Sequence, residues 1–435
     1  MSPESSRSRN LEISAAVLIA FIAAAISLGR LLWRNPEALT QVLWAEDGLF
    51  PLCVEKAGYL SCLFDPFAGY SIFLPRALAG ITAIFPPSQW ALAANLIASV
   101  LAGVACAWAW WWLRRFGLGI VTSAVGALLL VLAPIVGLEA LNVVASAYMP
   151  LLFVGTIALA FPLKPYPAKS VSVLLLLAGL TIPSAAVLLF VLAFQVLVGA
   201  IRKRAALWLF GGLLIGLIVQ ATVALTSDVP RPVSLGWESL RTWVELIPTA
   251  ALSFWPGLNL GEVTVFTNYV STPAAWTAWV LVTAILVCGL WLIVFRRDRL
   301  RGAGILLLVG VVVGAMPSVI GYTNNRYFVV PCILWALAVL VCLDPVVARL
   351  RPLLLVLIGG LVLIIWWPSL PASVWRTTAA PPWQGEVTRL AVHCISDPTL
   401  TERPVFTPFW PPNWGDGLQE PSHPNLPCTI GKDWH

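Results

Sequence analysis

LEISAAVLIAFIAAAISLGRLL, residues 11–32, is the stretch that decides the fold class. It exceeds the roughly 18 apolar residues that suffice to cross a hydrocarbon core about 30 Å thick. It is also too long for the apolar region of a secretory leader, and no small-residue cleavage site follows it, so it reads as a first span that stays in place. Arg7 and Arg9 precede it, and basic segments stay on the cytoplasmic side of a bilayer. The N-terminus is therefore expected inside.

Similar runs recur along the chain. Of 435 residues, 59% are hydrophobic and 11% charged, and the mean hydropathy is +0.88. A soluble domain of this length needs far more charge to cover its surface. A β-barrel would alternate apolar and polar residues in segments of about ten, which this chain does not do. The expected class is an all-α polytopic membrane protein. Its net charge of +6 comes from basic cytoplasmic loops, not from a nucleic-acid surface. ATP hydrolysis, nucleotide cofactors and zinc proteolysis have no motif here: there is no Walker A loop, dinucleotide fingerprint or HExxH.

The charged clusters set the topology. Spans are expected over residues 11–32, 90–113, 118–136 and 145–163, with Arg114, Arg115, Lys164 and Lys169 inside. A single crossing of 171–201 would strand Arg202, Lys203 and Arg204 outside. Pro183 of GLTIPSAA removes a backbone donor and clashes with the preceding turn, so this segment is read as two short spans that turn back there. Further spans at 205–226, 273–295, 302–320, 328–344 and 352–368 keep RRDRLR (Arg296–Arg301) inside. About eleven transmembrane helices result, with the N-terminus in and the C-terminus out. Residues 1–368 form the membrane domain, with outer loops at 34–89 and 227–272. An extracytoplasmic tail, 369–435, follows; its prolines favour extended structure over helix, and His393, His423 and His435 are read as solvated.

Eight cysteines divide accordingly. Cys106, Cys288, Cys332 and Cys342 fall inside spans and act as small apolar residues. Cys53, Cys62, Cys394 and Cys428 fall outside, where disulfides form; Cys53–Cys62 with Cys394–Cys428 is the simplest of three pairings.

The first outer loop contains WAEDG (Trp44–Gly48), with Glu46 and Asp47 side by side, followed by Glu55 and Asp65 among aromatic and apolar residues. Such carboxylates either solvate a loop and favour a helix N-terminus, or carry proton chemistry against an apolar surface. With AGY (57–59), PFAGY (66–70) and LPRALA (74–79), the segment resembles the GT-C superfamily of integral membrane glycosyltransferases and bacterial WAEDG-containing membrane proteins without an assigned reaction. The resemblance covers the first ~115 residues best. It has no sequon-reading motif and a short tail, so it implies sugar transfer without naming the sugar.

The resemblance implies a donor sugar on a polyprenyl phosphate, an acceptor in the cell envelope, and residence in a bacterial plasma (inner) membrane, with no nucleic acid involved. Inverting displacement requires one carboxylate to take the acceptor hydroxyl's proton. Asp47 is expected as that base, with Glu46 supporting it or binding a divalent metal, since adjacent residues on a helix point about 100° apart. The leaving phosphate needs positive charge. Arg326 in GYTNNRYF suits it by its planar donor fork, or else reaches to headgroups; Arg76 is the second candidate, or an interfacial anchor. Glu139 and Asn142 either line the acceptor cleft or cap helices. Trp237, Trp243 and Trp255, near Glu238, Glu245 and Glu262, either stack on sugars or anchor at the interface. The rival functions are a transporter or lipid or polysaccharide flippase, which calls for ionisable residues in mid-span and internal repeats, and a non-catalytic scaffold.

Overall fold

A computed structural model describes residues 3–33, 36–41, 43, 47–67, 69–133, 142–227, 272–296, 298–319, 328–366, 383–397, 402–404 and 425–428. Nearly all of them are helical. In order the helices are α1 (Pro3–Leu32), α2 (Ala38–Gln41), α3 (Leu49–Ala57), α4 (Tyr59–Phe64), α5 (Phe73–Thr82), α6 (Trp90–Phe116), α7 (Ile120–Leu132), α8 (Tyr148–Ala160), α9 (Ala168–Thr181), α10 (Val187–Leu197) and α11 (Lys203–Thr226). After residue 227 come α12 (Thr272–Phe295), α13 (Asp298–Val319), α14 (Val329–Val347), α15 (Pro352–Trp366) and α16 (Trp383–Ser396). Two three-residue strands, β1 (Glu402–Pro404) and β2 (Asn425–Pro427), pair antiparallel.

Five helices are long and apolar enough to cross a membrane by length and composition: Leu11–Leu32, Pro87–Phe116, Lys203–Thr226, Asp298–Met316 and Val329–Val347. Shorter apolar stretches are Ile120–Leu132, Val144–Ala160, Ala168–Thr181, Pro183–Leu197, Trp279–Phe295 within α12, and Pro352–Val362. In hydrocarbon, apolar contact between helices adds little driving force, so close packing and internal hydrogen bonds must hold such a bundle.

The bundle is built around α8. Every residue from Leu151 to Ala160 is buried, and α8 packs against α6, α9, α10, α13 and α14. Around it, α1 runs antiparallel to α6: Glu12 pairs with Arg115 at 2.9 Å, Gly103 lies against the Ala20 carbonyl, and Ser99 bonds Ser27 at 3.3 Å. These contacts define two ends. One carries the helices of loop 36–89. The other carries the clustered basic residues.

Polar side chains mark which end each helix reaches. Thr181 Oγ1, at the end of α9, accepts the N–H of Leu74 on α5 (3.3 Å), so α9 finishes at the loop end. Gln195 on α10 donates to the Leu159 carbonyl at 2.6 Å, at the far end of α8. The chain therefore reverses between them, through one 3-10 turn at Pro183–Ala186. As a result α9 and α11 run parallel, and glycines bring them into backbone contact. A Cβ at Gly212 would strike the Ser172 backbone, and one at Gly216 would lie 2.7 Å from the Leu176 carbonyl. Small residues permit this approach, which longer side chains forbid.

The tail differs from the expected extended form. Pro381 and Pro382 stand directly before a 14-residue helix, α16. Proline is compatible with a helix start, where the missing N–H has no intrahelical partner to lose. His393, expected to be solvated, lies on this helix and is half-buried. Trp237, Glu238, Trp243, Glu245, Trp255, Glu262, His423 and His435 lie outside the described residues.

The glycine seam gives a paired test. Gly211 faces open space and Gly212 faces Ser172. Gly212→Leu should lower stability by about 1–3 kcal/mol, the usual cost of overpacking. Gly211→Leu should leave the melting temperature of the purified protein nearly unchanged.

Candidate functional site

The loop after α1 is a stack of short helices. Gln41 closes α2, Cys53 on α3 is joined to Cys62 on α4 across a Cα separation of 5.8 Å, and α5 leads to α6. Gln220 of α11 holds the strap before α5. Its Oε1 accepts the Ser71 N–H (2.9 Å) and its Nε2 donates to the Ser71 carbonyl (2.7 Å), as a neighbouring strand would. Asn95 of α6 donates to the Leu39 carbonyl (3.1 Å) and so fixes α2. The loop is thus docked on α6, α9 and α11.

Asp47 sits within this assembly, 3% exposed. Its Oδ2 accepts the N–H of Val144 (2.9 Å) and its Oδ1 that of Ala145 (2.7 Å). Those amides open the 3-10 turn Val144–Ser146 that runs into α8. The first amides of a helix have no partner within it, and a carboxylate there also meets the positive end of the helix dipole. Asp47 is therefore a cap on the central helix, contributed from almost a hundred residues upstream.

Asn142 lies one residue before the turn's flanking Val143, with a left-handed backbone (φ 60°) that asparagine tolerates better than most residues. It is 2% exposed, and its Nδ2 donates to Ser99 Oγ (2.6 Å) and Ser27 Oγ (3.1 Å). Its place is inside the bundle, tying α1 to α6, and it does not line an open cleft.

Arg76 is buried on α5, where its Nη2 meets Asp65 Oδ2 at 2.8 Å and its guanidinium lies 4.5 Å from the centre of the Phe50 ring. Asp65 thus matches its charge locally. Phe50, Ile72 and Ala79 form one apolar cluster, with Ala145 packed against it. Asp47, which holds the Ala145 amide, and Arg76, whose guanidinium lies over Phe50, thus border the same apolar cluster. Partial desolvation on α3 raises the Glu55 carboxyl above its ordinary value.

The tail closes over the same end. Trp383 of α16 stacks on Trp90 with ring centres 6.0 Å apart and donates its indole N–H to the Pro87 carbonyl (2.7 Å). Gln384 and Gln41 exchange hydrogen bonds of 2.8 and 3.2 Å. Cys394 is bonded to Cys428, fastening α16 to the residue that follows β2.

Glu46, Glu139 and Arg326 lie outside the described residues. Among the described residues no three His, Cys, Asp or Glu side chains are grouped to hold a metal ion. The sequence reading passed over four polar residues within or closing apolar runs. Arg30 Nη1 donates to the Val131 (2.6 Å) and Ala133 (3.1 Å) carbonyls at the end of α7. Gln195 and Gln220 act as described. Asp344 takes the Gly119 N–H (2.9 Å) and Arg299 (3.2 Å) at the basic end. A polar residue inside an apolar run was itself the signal.

No protein-family model matches the sequence, and no curated protein matches it.

Removing the Asp47 carboxylate strands two amide donors in a buried place. Asp47→Ala is expected to cost about 1–3 kcal/mol. Hydrogen exchange should speed up at Val144 and Ala145 first; exchange unchanged there would remove the capping role.

Proposed function

We propose that this chain is a membrane glycosyltransferase of the GT-C type. In this reading it moves a sugar from a polyprenyl-phosphate donor to a cell-envelope acceptor at the loop end of the bundle. The observation that supports the proposal is the seat of Asp47, the aspartate of WAEDG: its carboxylate holds the amides that lead into the central helix at the loop end of the bundle. A loop that merely solvated its carboxylates would have no need to bury Asp47 under α8.

The proposal divides the work between the two acids. Both Asp47 oxygens already accept backbone amides, so Asp47 is a positioning residue, and the proton of the acceptor hydroxyl falls to Glu46. Transfer is a direct displacement. The acceptor oxygen bonds to the anomeric carbon as the carbon–phosphate-oxygen bond breaks, Glu46 receives the proton, and the lipid phosphate leaves with the electron pair. Negative charge near an oxocarbenium-like centre helps this step, by analogy with glycoside hydrolysis. The leaving phosphate requires cations, for which Arg326 and Arg76 are the candidates. Arg76 would have to exchange part of its hold on Asp65 for the phosphate.

The described polar side chains inside the bundle favour this reading over transport. Gln195, Gln220, Asn95 and Ser99 are each hydrogen-bonded to a neighbouring helix or the loop, which fits a static scaffold. We further propose that the shorter apolar helices also cross, giving eleven crossings with the loop end outside. A membrane-impermeant thiol reagent should then label Glu37→Cys on intact cells, and Arg349→Cys only after permeabilisation. The reverse pattern would sink the proposed geography.

The catalytic test uses purified protein and a panel of polyprenyl-phosphate sugars, with release of lipid phosphate as the readout. Glu46→Gln should reduce release at least about a hundredfold, the scale of general-base assistance, with the melting temperature kept. Asp47→Asn should lower both. No release by the unaltered protein with any donor, together with lipid movement in vesicles, would replace this reading with the transporter.

A further inference from the structure

At the basic end, α9 and α11 begin side by side because they run parallel. Lys169 stands in the first turn of α9, and Arg202, Lys203 and Arg204 open α11. All four are exposed. The Lys169 ammonium lies 5.7 Å from the centre of the Trp208 ring, and Ser172 Oγ donates to the Trp208 carbonyl at 2.6 Å, so Lys169 reaches across to α11 one turn beyond the start that bears Arg202, Lys203 and Arg204, and these four make up the patch. Neither helix has an acidic residue in its first turn. Elsewhere at this end Arg115 is matched by Glu12 and Arg299 by Asp344. Among the described residues, none of the four patch cations makes an ion pair.

Directly below the patch, toward the middle of the helices, the surface turns apolar. Val173 is 57% exposed and Leu207 73%. A group of uncompensated cations seated on bare hydrocarbon-facing side chains suits one class of molecule, with an anion and an acyl chain joined together. An indole beneath an ammonium is also the arrangement found at headgroup depth.

We infer that this patch binds the headgroup phosphate of an anionic phospholipid from the leaflet at the basic end, with its acyl chains lying along Val173 and Leu207. The four cations supply charge, Trp208 sets the depth, and the glycine seam holds the two helix starts close enough for one phosphate to be shared. This site is separate from the glycosyl-transfer reading and stands or falls without it.

The test is native mass spectrometry of the full chain in detergent, with phosphatidylglycerol and phosphatidylcholine offered at equal concentration. The protein should retain phosphatidylglycerol preferentially. The variant Lys169→Gln/Arg202→Gln/Lys203→Gln/Arg204→Gln should lose that retention at least about tenfold, since each surface cation contributes appreciably to binding anionic lipid. Arg349→Gln/Arg351→Gln, altered at the same end but off the patch, should keep it. Should the fourfold variant fold poorly, Lys169→Gln alone should still weaken retention severalfold. Equal retention of both lipids, no change in a well-folded patch variant, or an equal loss in the off-patch control would overturn the inference. Displacement of the lipid by an equal concentration of inorganic phosphate would overturn it as well, making this a site for free phosphate.

Discussion

The ends of α8 are the constraint from which the rest of the arrangement follows. A helix buried on every side leaves its first amides and last carbonyls in a place where water cannot reach them, and each one left unmet costs free energy. The protein meets them with side chains brought from elsewhere. Asp47 takes the Val144 and Ala145 amides at one end. At the other, Tyr166 donates to the Ala158 carbonyl, Gln195 to Leu159, and Trp112 to Phe161. The loop, α6 and the α9–α10 hairpin are all held by this single requirement.

That requirement explains why the described helices of the first loop lie against the bundle. Because Asp47 must stay on α8, α3, which begins two residues after it, has a fixed position, and α2 and α5 are drawn onto the bundle's loop end. Gln220, Thr181 and Asn95 reinforce the docking by treating loop backbone as a partner. The tail helix then covers α2 through Gln384 and the start of α6 through Trp383, and is fastened by its own disulfide.

The two ends of the bundle differ in chemistry as well as in shape. The loop end gathers carboxylates, an arginine with its charge matched, and two disulfides. The basic end gathers cations, of which some are matched by Glu12 and Asp344 and the α9–α11 group is not. Sugar transfer at one face and anionic-lipid binding at the other are therefore independent proposals, resting on different residues.

Much of this was legible in the order of residues. The apolar run at Leu11–Leu32 announces a membrane helix by length alone, Pro183 announces an interruption, and the adjacent Glu46 and Asp47 announce a site worth locating. The prolines at 381 and 382 misled, because their effect depends on whether a helix begins after them or must pass through them. What tertiary structure alone decided is the partner of each polar group. Asp47 bonds amides almost a hundred residues away, and Gln220 and Ser71 are separated by 149 positions. Sequence fixes hydropathy and local backbone preference, which act over one or two turns. Which carboxylate meets which helix end depends on the path of every intervening span.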